Sequence, residues 1–211
     1  AWVAEHIRGG RVGEVGYEVR LPVGAIAPNK PLANEAITVC FAVSDGEVRI
    51  RNDMPHLLAT NGRALLRGDE FHMSIDRAQL NGVALSAGAI DMPRLAGDGR
   101  RYTARFSASG PLRGIVEVID APGNHALSSQ GMQPAKFSGL AQADVSISRP
   151  LGPGYGDKFD NYDIAYKGVV REAAITGVAM GVDLKAPLIA IEGGEDNLTG
   201  KGTVVLGPYR G

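Results

Sequence analysis

Apolar and polar residues alternate without a break in the stretch that decides the fold of this chain: Arg101-Tyr102-Thr103-Ala104-Arg105-Phe106-Ser107-Ala108. Successive side chains of a β-strand point to opposite faces, so this stretch predicts a strand with one apolar and one polar face. The same period recurs elsewhere and predicts six more strands, at residues 14–21, 37–44, 47–51, 70–76, 144–148 and 162–167.

Dipeptides that favour tight turns separate these segments, and they predict hairpins: Asp45-Gly46, Gly68-Asp69, Asn81-Gly82 and Gly193-Gly194. The chain has 29 glycines and 12 prolines in 211 residues, a frequency of turn residues that is typical of an all-β protein. We therefore predict a mostly β fold, in which a curved antiparallel meander sheet forms an apolar groove.

One segment breaks the alternation. Leu112, Ile115, Val116 and Ile119 fall on one helical stripe, and Pro111 suits a first helical turn, so we predict a helical insertion near 111–133 that caps the apolar face. The opening residues 1–8 are followed by two glycines and predict the end of another helix.

The order of helix, strand, proline-rich linker and strand occurs twice, starting near residue 1 and near residue 112. This order predicts a first β meander module at 1–110, and a helix with a second β meander module at 111–211. Chance similarity between amphipathic strands explains the same pattern, and the two modules could share one continuous sheet.

Composition and charge exclude several classes of function. Twenty-two Lys and Arg residues balance 23 Asp and Glu residues, which gives a formal net charge of −1 and no general attraction for nucleic acid. Cys40 is the only cysteine, so the chain has no internal disulfide and no thiolate metal cluster. The chain starts without a methionine or a signal-like segment, and we expect it to be a fragment of a longer protein.

The sequence offers no constellation of catalytic or metal-binding residues. The four histidines are far apart, and the acidic residues between Asp157 and Asp163 fail the EF-hand template. The glycine-rich stretch at 152–158 is followed by a predicted strand, whereas a phosphate-binding loop needs a helix there. We predict a protein that is not an enzyme, with no catalytic residue, no metal and no cofactor.

Two longer segments carry a family resemblance. Residues 104–122 run from a strand through Ser109-Gly110-Pro111-Leu112 into the helical stripe and end at Asp120-Ala121-Pro122. This segment resembles a signature of the AsmA-like proteins of the YhdP type, and residues 132–145 resemble the signature that follows it. Residues 2–12, 66–71 and 198–202 fit the same pattern, while Asn124-His125 and the loop at 152–156 depart from it.

The resemblance implies a segment of a large envelope protein of Gram-negative bacteria, anchored in the inner membrane and extending through the periplasm. Proteins of this family have a long apolar groove that is implicated in moving phospholipids toward the outer membrane. The expected partners are therefore a phospholipid or another acyl-chain ligand and neighbouring modules of the same parent chain, with no nucleic acid. The alternative is a non-catalytic structural or protein-interaction module of the envelope with a fully packed core.

If the sheet holds lipid, the large apolar residues of its alternating strands must line one common surface. The expected lining residues are Val15, Tyr17, Val19, Ile37, Val39, Phe41, Phe71, Met73, Ile75, Tyr102, Phe106, Ile164 and Tyr166.

Overall fold

The computed structural model describes residues 7–26, 31–49, 55–120, 127–152, 161–179, 181–194 and 197–207. The strands are Ile7–Val19 (β1), Ile37–Val48 (β2), Leu57–Arg67 (β3), Glu70–Leu80 (β4), Val83–Met92 (β5), Arg101–Pro111 (β6), Phe137–Pro150 (β7), Asp163–Ala179 (β8), Val182–Gly194 (β9), Leu198–Gly202 (β10) and Val205–Leu206 (β11). The helix is Leu112–Ile119 (α1), and 3₁₀ turns follow at Ser128–Gln130 and Pro134–Lys136.

All the described strands belong to one antiparallel sheet. Each strand pairs with the next along the chain from β1 to β10, and β11 pairs with β9. The sheet is curved and does not close on itself, and one short helix follows β6. The predicted fold class is therefore confirmed. Strands β6 and β7 pair along their whole length, from Arg101 opposite Pro150 to Pro111 opposite Leu140, so one sheet runs across the proposed boundary at residue 110. The division into two modules stays a prediction.

The hairpin predictions have mixed outcomes. Gly68-Asp69 joins β3 to β4, and Asn81-Gly82 joins β4 to β5 with φ angles of 50° and 76°, as a two-residue hairpin turn requires. The prediction for Asp45-Gly46 is wrong, because this pair lies inside β2, where Asp45 has a φ of 52° and the register with β3 shifts. Gly193-Gly194 ends β9 and lies in the hairpin with β10, where Gly193 is opposite Leu198 and the Gly194 N–H donates to the carbonyl of Asn197 at 3.0 Å.

The prediction of a helix end before Gly9 and Gly10 is wrong for the part that the structure describes. Residues from Ile7 onward form β1, with Ile7 opposite Val48 and Gly9 opposite Glu47, because β2 offers a complete strand edge for pairing. Residues 1–6 lie outside the described part of the chain.

Bulges interrupt several strands. Glu14, Asp45, Ala59, Ala87 and Glu172 have φ angles between 49° and 52° inside β1, β2, β3, β5 and β8, respectively. A bulge adds one residue to its strand, so the apolar side changes from odd to even positions or the reverse. These bulges keep apolar side chains on one face even where the sequence loses its period of two.

Helix α1 packs across one end of the apolar face and contacts two clusters of buried residues. Leu112 and Ile115 pack on a cluster of Ala141, Val170, Ala173 and Ala186 from β7, β8 and β9. On its other side, Val118 packs on a second cluster, which is formed by Leu57, Ala78 and Leu80 from β3 and β4. The capping role predicted for the helix is thus observed.

The predicted stripe of α1 differs from the observed one in a single position. Val116 is buried as expected, but Ile119 is 46% exposed. Val118 packs on the sheet in place of Ile119.

The spacing of side chains shows the direction of curvature. A Cβ placed on Gly88 would be 2.8 Å from the Cβ of Ile75, far closer than the usual 4.5–5.5 Å between opposed residues. Side chains therefore crowd together on the apolar face, and the curved sheet bends toward that face.

Candidate functional site

Residues opposite each other in neighbouring strands share a face, so the register defines rows of side chains that cross the strands. The row farthest from α1, row 1, holds Tyr17, Val39, Leu66, Phe71 and Met92. Row 2 crosses seven strands and holds Phe41, Ala64, Met73, Ile90, Ala104, Ile147 and Ile164. Row 3 has two parts: Val43, Gly62, Ile75 and Gly88, then Phe106, Val145, Tyr166, Gly193 and Leu198.

The register places the expected lining residues on the same face. Nine of them belong to the three rows: Tyr17, Val39, Phe71, Phe41, Met73, Ile164, Ile75, Phe106 and Tyr166. Val19 and Ile37 oppose each other two residues beyond row 1, and Tyr102 lies two residues beyond Ala104 in β6. Val15 follows the Glu14 bulge, within a register shift, and reaches this face only by alternation with Tyr17. Whether these residues bind a ligand stays a prediction.

Several members of the rows were missed by sequence reasoning. Leu66, Ile90 and Met92 come from β3 and β5, whose bulges at Ala59 and Ala87 hide the alternation. Val145 and Ile147 alternate visibly and could have been included on that signal alone.

Most of the large side chains in the rows are only half-buried. The large side chains of row 2, including Phe41, Met73 and Ile147, are neither fully buried nor fully exposed. Their partial burial comes from neighbours within the sheet, because α1 packs on β6, β7 and the turn at Pro134–Lys136, at the opposite end of the strands. At the β1 edge, exposure rises to 80% for Tyr17 and 61% for Val12. Among the described residues, no layer covers rows 1 and 2.

A buried arginine marks one corner of the apolar face. Arg149 lies opposite Tyr102 and is only 8% exposed. Its guanidinium carbon is 5.0 Å from the ring centroid of Tyr162, and its Nη1 donates to the Tyr162 hydroxyl at 2.9 Å. The aromatic ring and the hydrogen bond offset part of the cost of burying this charge.

Tyr166 is the last aromatic residue of row 3 before Gly193 on β9. Its hydroxyl donates to the carbonyl of Asn197 at 3.2 Å, and a Cβ on Gly193 would be 2.6 Å from that hydroxyl oxygen. Glycine at 193 therefore leaves the space in which the ring lies. Burial raises the pKa of Tyr166 above its ordinary value of 10.0.

The opposite face of the sheet is polar and solvated. Asp91 accepts from Arg105 at 3.3 Å and lies 2.7 Å from His72 Nδ1, and Arg63 pairs with Glu14 at 3.4 Å. These side chains are largely exposed, so each pair adds at most about 1 kcal/mol to stability. Two shallow depressions lie away from row 2, one lined by residues that include His72 and Asp91, the other near Leu188 and Lys201.

Several sequence candidates for other chemistry were also placed. Within the described ranges, no group of three or more His, Cys, Asp or Glu side chains is arranged to hold a metal ion. Asp163 pairs with Arg101 at 3.3 Å. His6, His125, Asp157, Asp160 and most of the glycine-rich stretch at 152–158 lie outside the described residues.

The chain matches no family model, no curated protein and no solved structure. Of the helices described, none is long and apolar enough to cross a membrane.

Proposed function

We propose that this chain is a segment of an AsmA-like envelope protein whose apolar face binds the acyl chains of phospholipids in transit between the inner and outer membrane. The observation that carries the proposal is row 2, an uninterrupted line of apolar residues across seven strands that no described element covers. The resemblance of residues 104–122 and 132–145 to that family supports the same function.

The energetics favour an apolar ligand on this face. At a spacing of about 4.8 Å between strands, row 2 extends for about 29 Å. Apolar surface removed from water contributes about 25 cal/mol per Å², so an acyl chain laid along the row gains affinity without any chemical step. Curvature toward the apolar face increases the surface that such a chain can contact. The face is then a path for lipid rather than a reaction site.

The proposed setting is the periplasm, with the parent protein anchored in the inner membrane. Both edges of the sheet expose apolar side chains, such as Val12 and Tyr17 on β1 and Leu198 and Leu206 at the other edge. Unpaired strand edges are ready to accept further strands. In this proposal, neighbouring modules of the parent chain cover them.

A second candidate function is a structural or protein-interaction module of the envelope. The end of the sheet under α1 favours it, because Val116, Val170 and Ala186 there are packed like an ordinary core. In that case another protein layer would cover rows 1 and 2 in the same way.

A pair of adjacent substitutions separates the two functions. Ile164→Glu places a carboxylate in row 2, whereas Ala165→Glu places one on the exposed polar face of the same strand. We expect phospholipid to co-purify with the unchanged chain and with Ala165→Glu but to be lost from Ile164→Glu, as seen by native mass spectrometry. Thermal unfolding of both variants checks that they fold.

Two results would count against the lipid proposal. One is an unchanged chain that carries no phospholipid when purified from cells and binds none from vesicles. The other is a folded Ile164→Glu variant that retains as much lipid as Ala165→Glu.

A further inference from the structure

One side chain joins the β4–β5 turn to α1. Asn81 Nδ2 donates to Glu117 Oε2 at 2.8 Å and to the carbonyl of Gly114 at 3.3 Å. The helix lies directly on the turn, since a Cβ placed on Gly114 would be 2.8 Å from the carbonyl oxygen of Asn81. Besides the apolar packing of Leu112, Ile115 and Val118, two hydrogen bonds from one amide nitrogen of Asn81 thus hold α1 at the end of the apolar face.

The residue after Asn81 makes this amide chemically vulnerable. Gly82 has no Cβ, so its backbone nitrogen meets little steric resistance in approaching the side-chain carbonyl carbon of Asn81. Both residues are exposed, in a two-residue turn where water has access. We propose that Asn81 is a site of spontaneous deamidation, and that its conversion weakens the docking of α1 on the sheet.

The reaction needs only water. The Gly82 backbone nitrogen attacks Cγ of Asn81, a new C–N bond forms, and the Cγ–Nδ2 bond breaks as ammonia leaves with the proton from the Gly82 nitrogen. Water then opens the cyclic imide at either carbonyl and leaves aspartate or isoaspartate. The net change is the replacement of one amide by one carboxylate, with water consumed and ammonia released.

The product reverses the polarity of the contact with α1. A carboxylate at position 81 faces the Glu117 carboxylate and the Gly114 carbonyl, so two hydrogen bonds become repulsions between acceptors. The isoaspartate product also lengthens the backbone of a tight turn. Weaker docking of α1 exposes the clusters beneath it, around Leu80 and Ala141. This consequence stands whatever ligand the apolar face binds.

Asn61-Gly62 provides an internal control. It has the same dipeptide sequence but lies inside β3, where Gly62 is buried and opposed by Val43 on one side and Ile75 on the other. Pairing on both sides fixes the Gly62 backbone in the sheet, and the Asn61 side chain donates to the carbonyl of Ala59 at 2.8 Å. The two sites therefore differ in structural setting and not in local sequence.

The first test follows deamidation in the folded full chain during incubation at mildly alkaline pH, by peptide mapping with mass spectrometry. We expect Asn81 to convert several-fold faster than Asn61. Equal rates, a faster rate at Asn61 or no conversion at Asn81 would overturn the proposed site.

The second test measures hydrogen exchange in α1 for Asn81→Asp and Asn81→Gly. Glycine at position 81 is compatible with the turn and removes the hydrogen-bond donor without adding a charge. Comparing the two variants therefore separates the loss of the hydrogen bonds from the new repulsion by a carboxylate. We expect the α1 amides to exchange about tenfold faster in Asn81→Asp than in the unchanged chain, with Asn81→Gly in between. Unchanged exchange in Asn81→Asp would show that conversion does not release the helix.

Discussion

Gly168 on β8 and Ala143 on β7 oppose each other so closely that a Cβ placed on Gly168 would be 2.6 Å from the Cβ of Ala143. The same atom would be 2.2 Å from the carbonyl oxygen of Gln142, which belongs to the backbone and cannot rotate away. The approach of these two strands on the apolar side therefore depends on the missing side chain at position 168.

Gly168→Ala should accordingly destabilise the protein. We expect the free energy of unfolding to fall by about 1–3 kcal/mol, the usual cost of overpacking, as measured by denaturant unfolding. Gly13→Ala is the control, because nothing lies within 4 Å of a Cβ there and loss of backbone freedom in the unfolded chain should stabilise by about 0.4–1 kcal/mol. Equal effects of the two changes would contradict the role of Gly168 in the close approach of β7 and β8.

Truncations in α1 test its packing on the sheet. Leu112→Ala removes a contact with the cluster around Val170 and should cost about 2 kcal/mol, the lower end of the range for leucine because Leu112 is only half-buried. Ile119→Ala, at a position that is 46% exposed, should change stability by less than about 0.5 kcal/mol. Thermal and denaturant unfolding measure both, and a larger loss for Ile119 would mean that the helix is rotated relative to the packing described.

A glycine at position 87, in the bulge of β5, should stabilise the protein, whereas glycine inside a strand usually destabilises it. A left-handed conformation costs an L-residue about 1–2 kcal/mol, whereas the added freedom of glycine costs about 0.5–1 kcal/mol. Ala87→Gly, at a φ of 49°, should therefore raise the free energy of unfolding by a few tenths to about 1 kcal/mol. Ala89→Gly, two residues further along the same strand, should lower it by about 0.5–1 kcal/mol. Losses of equal size at both positions would argue against the bulge.

The raised pKa of Tyr166 leads us to expect a loss of stability at alkaline pH. Because burial raises its pKa in the folded protein, the unfolded chain releases the phenol proton first as the pH rises past 10.0. The contribution of Tyr166 is complete below that value and declines until the pH reaches the folded pKa. The free energy of unfolding, measured as a function of pH, should fall less steeply above pH 10.0 in Tyr166→Phe than in the unchanged chain. Identical pH profiles for the two proteins would show that the phenol is not shielded from water.

The sequence predicts those parts of the fold in which local pattern and tertiary structure agree. In β4 the alternation of Phe71, Met73 and Ile75 matches their common face, and in α1 the stripe starting at Leu112 matches the packed side. Patterning succeeds there because burial on one face selects the residue types directly.

The bulges could not be predicted, and they explain most of what was missed. A left-handed φ at Ala59 or Ala87 has no signal in residue type, since alanine does not favour that conformation. Asp45-Gly46 carries the signal of a turn, but a single residue in this conformation also fits a bulge within a long strand. The rows of the candidate site depend on such shifts, so Leu66 and Ile90 emerge only from the register.

The Ala87 bulge also constrains how the gene can change. Deleting this one codon would remove the register shift with β6, yet every residue between the β4–β5 turn and the deletion would rotate to the opposite side of the sheet. Val83 and Leu85 would then point into water and Ala84 and Ser86 inward. A single-residue deletion here is more disruptive than many substitutions, and insertions or deletions in this strand should survive only as compensated pairs.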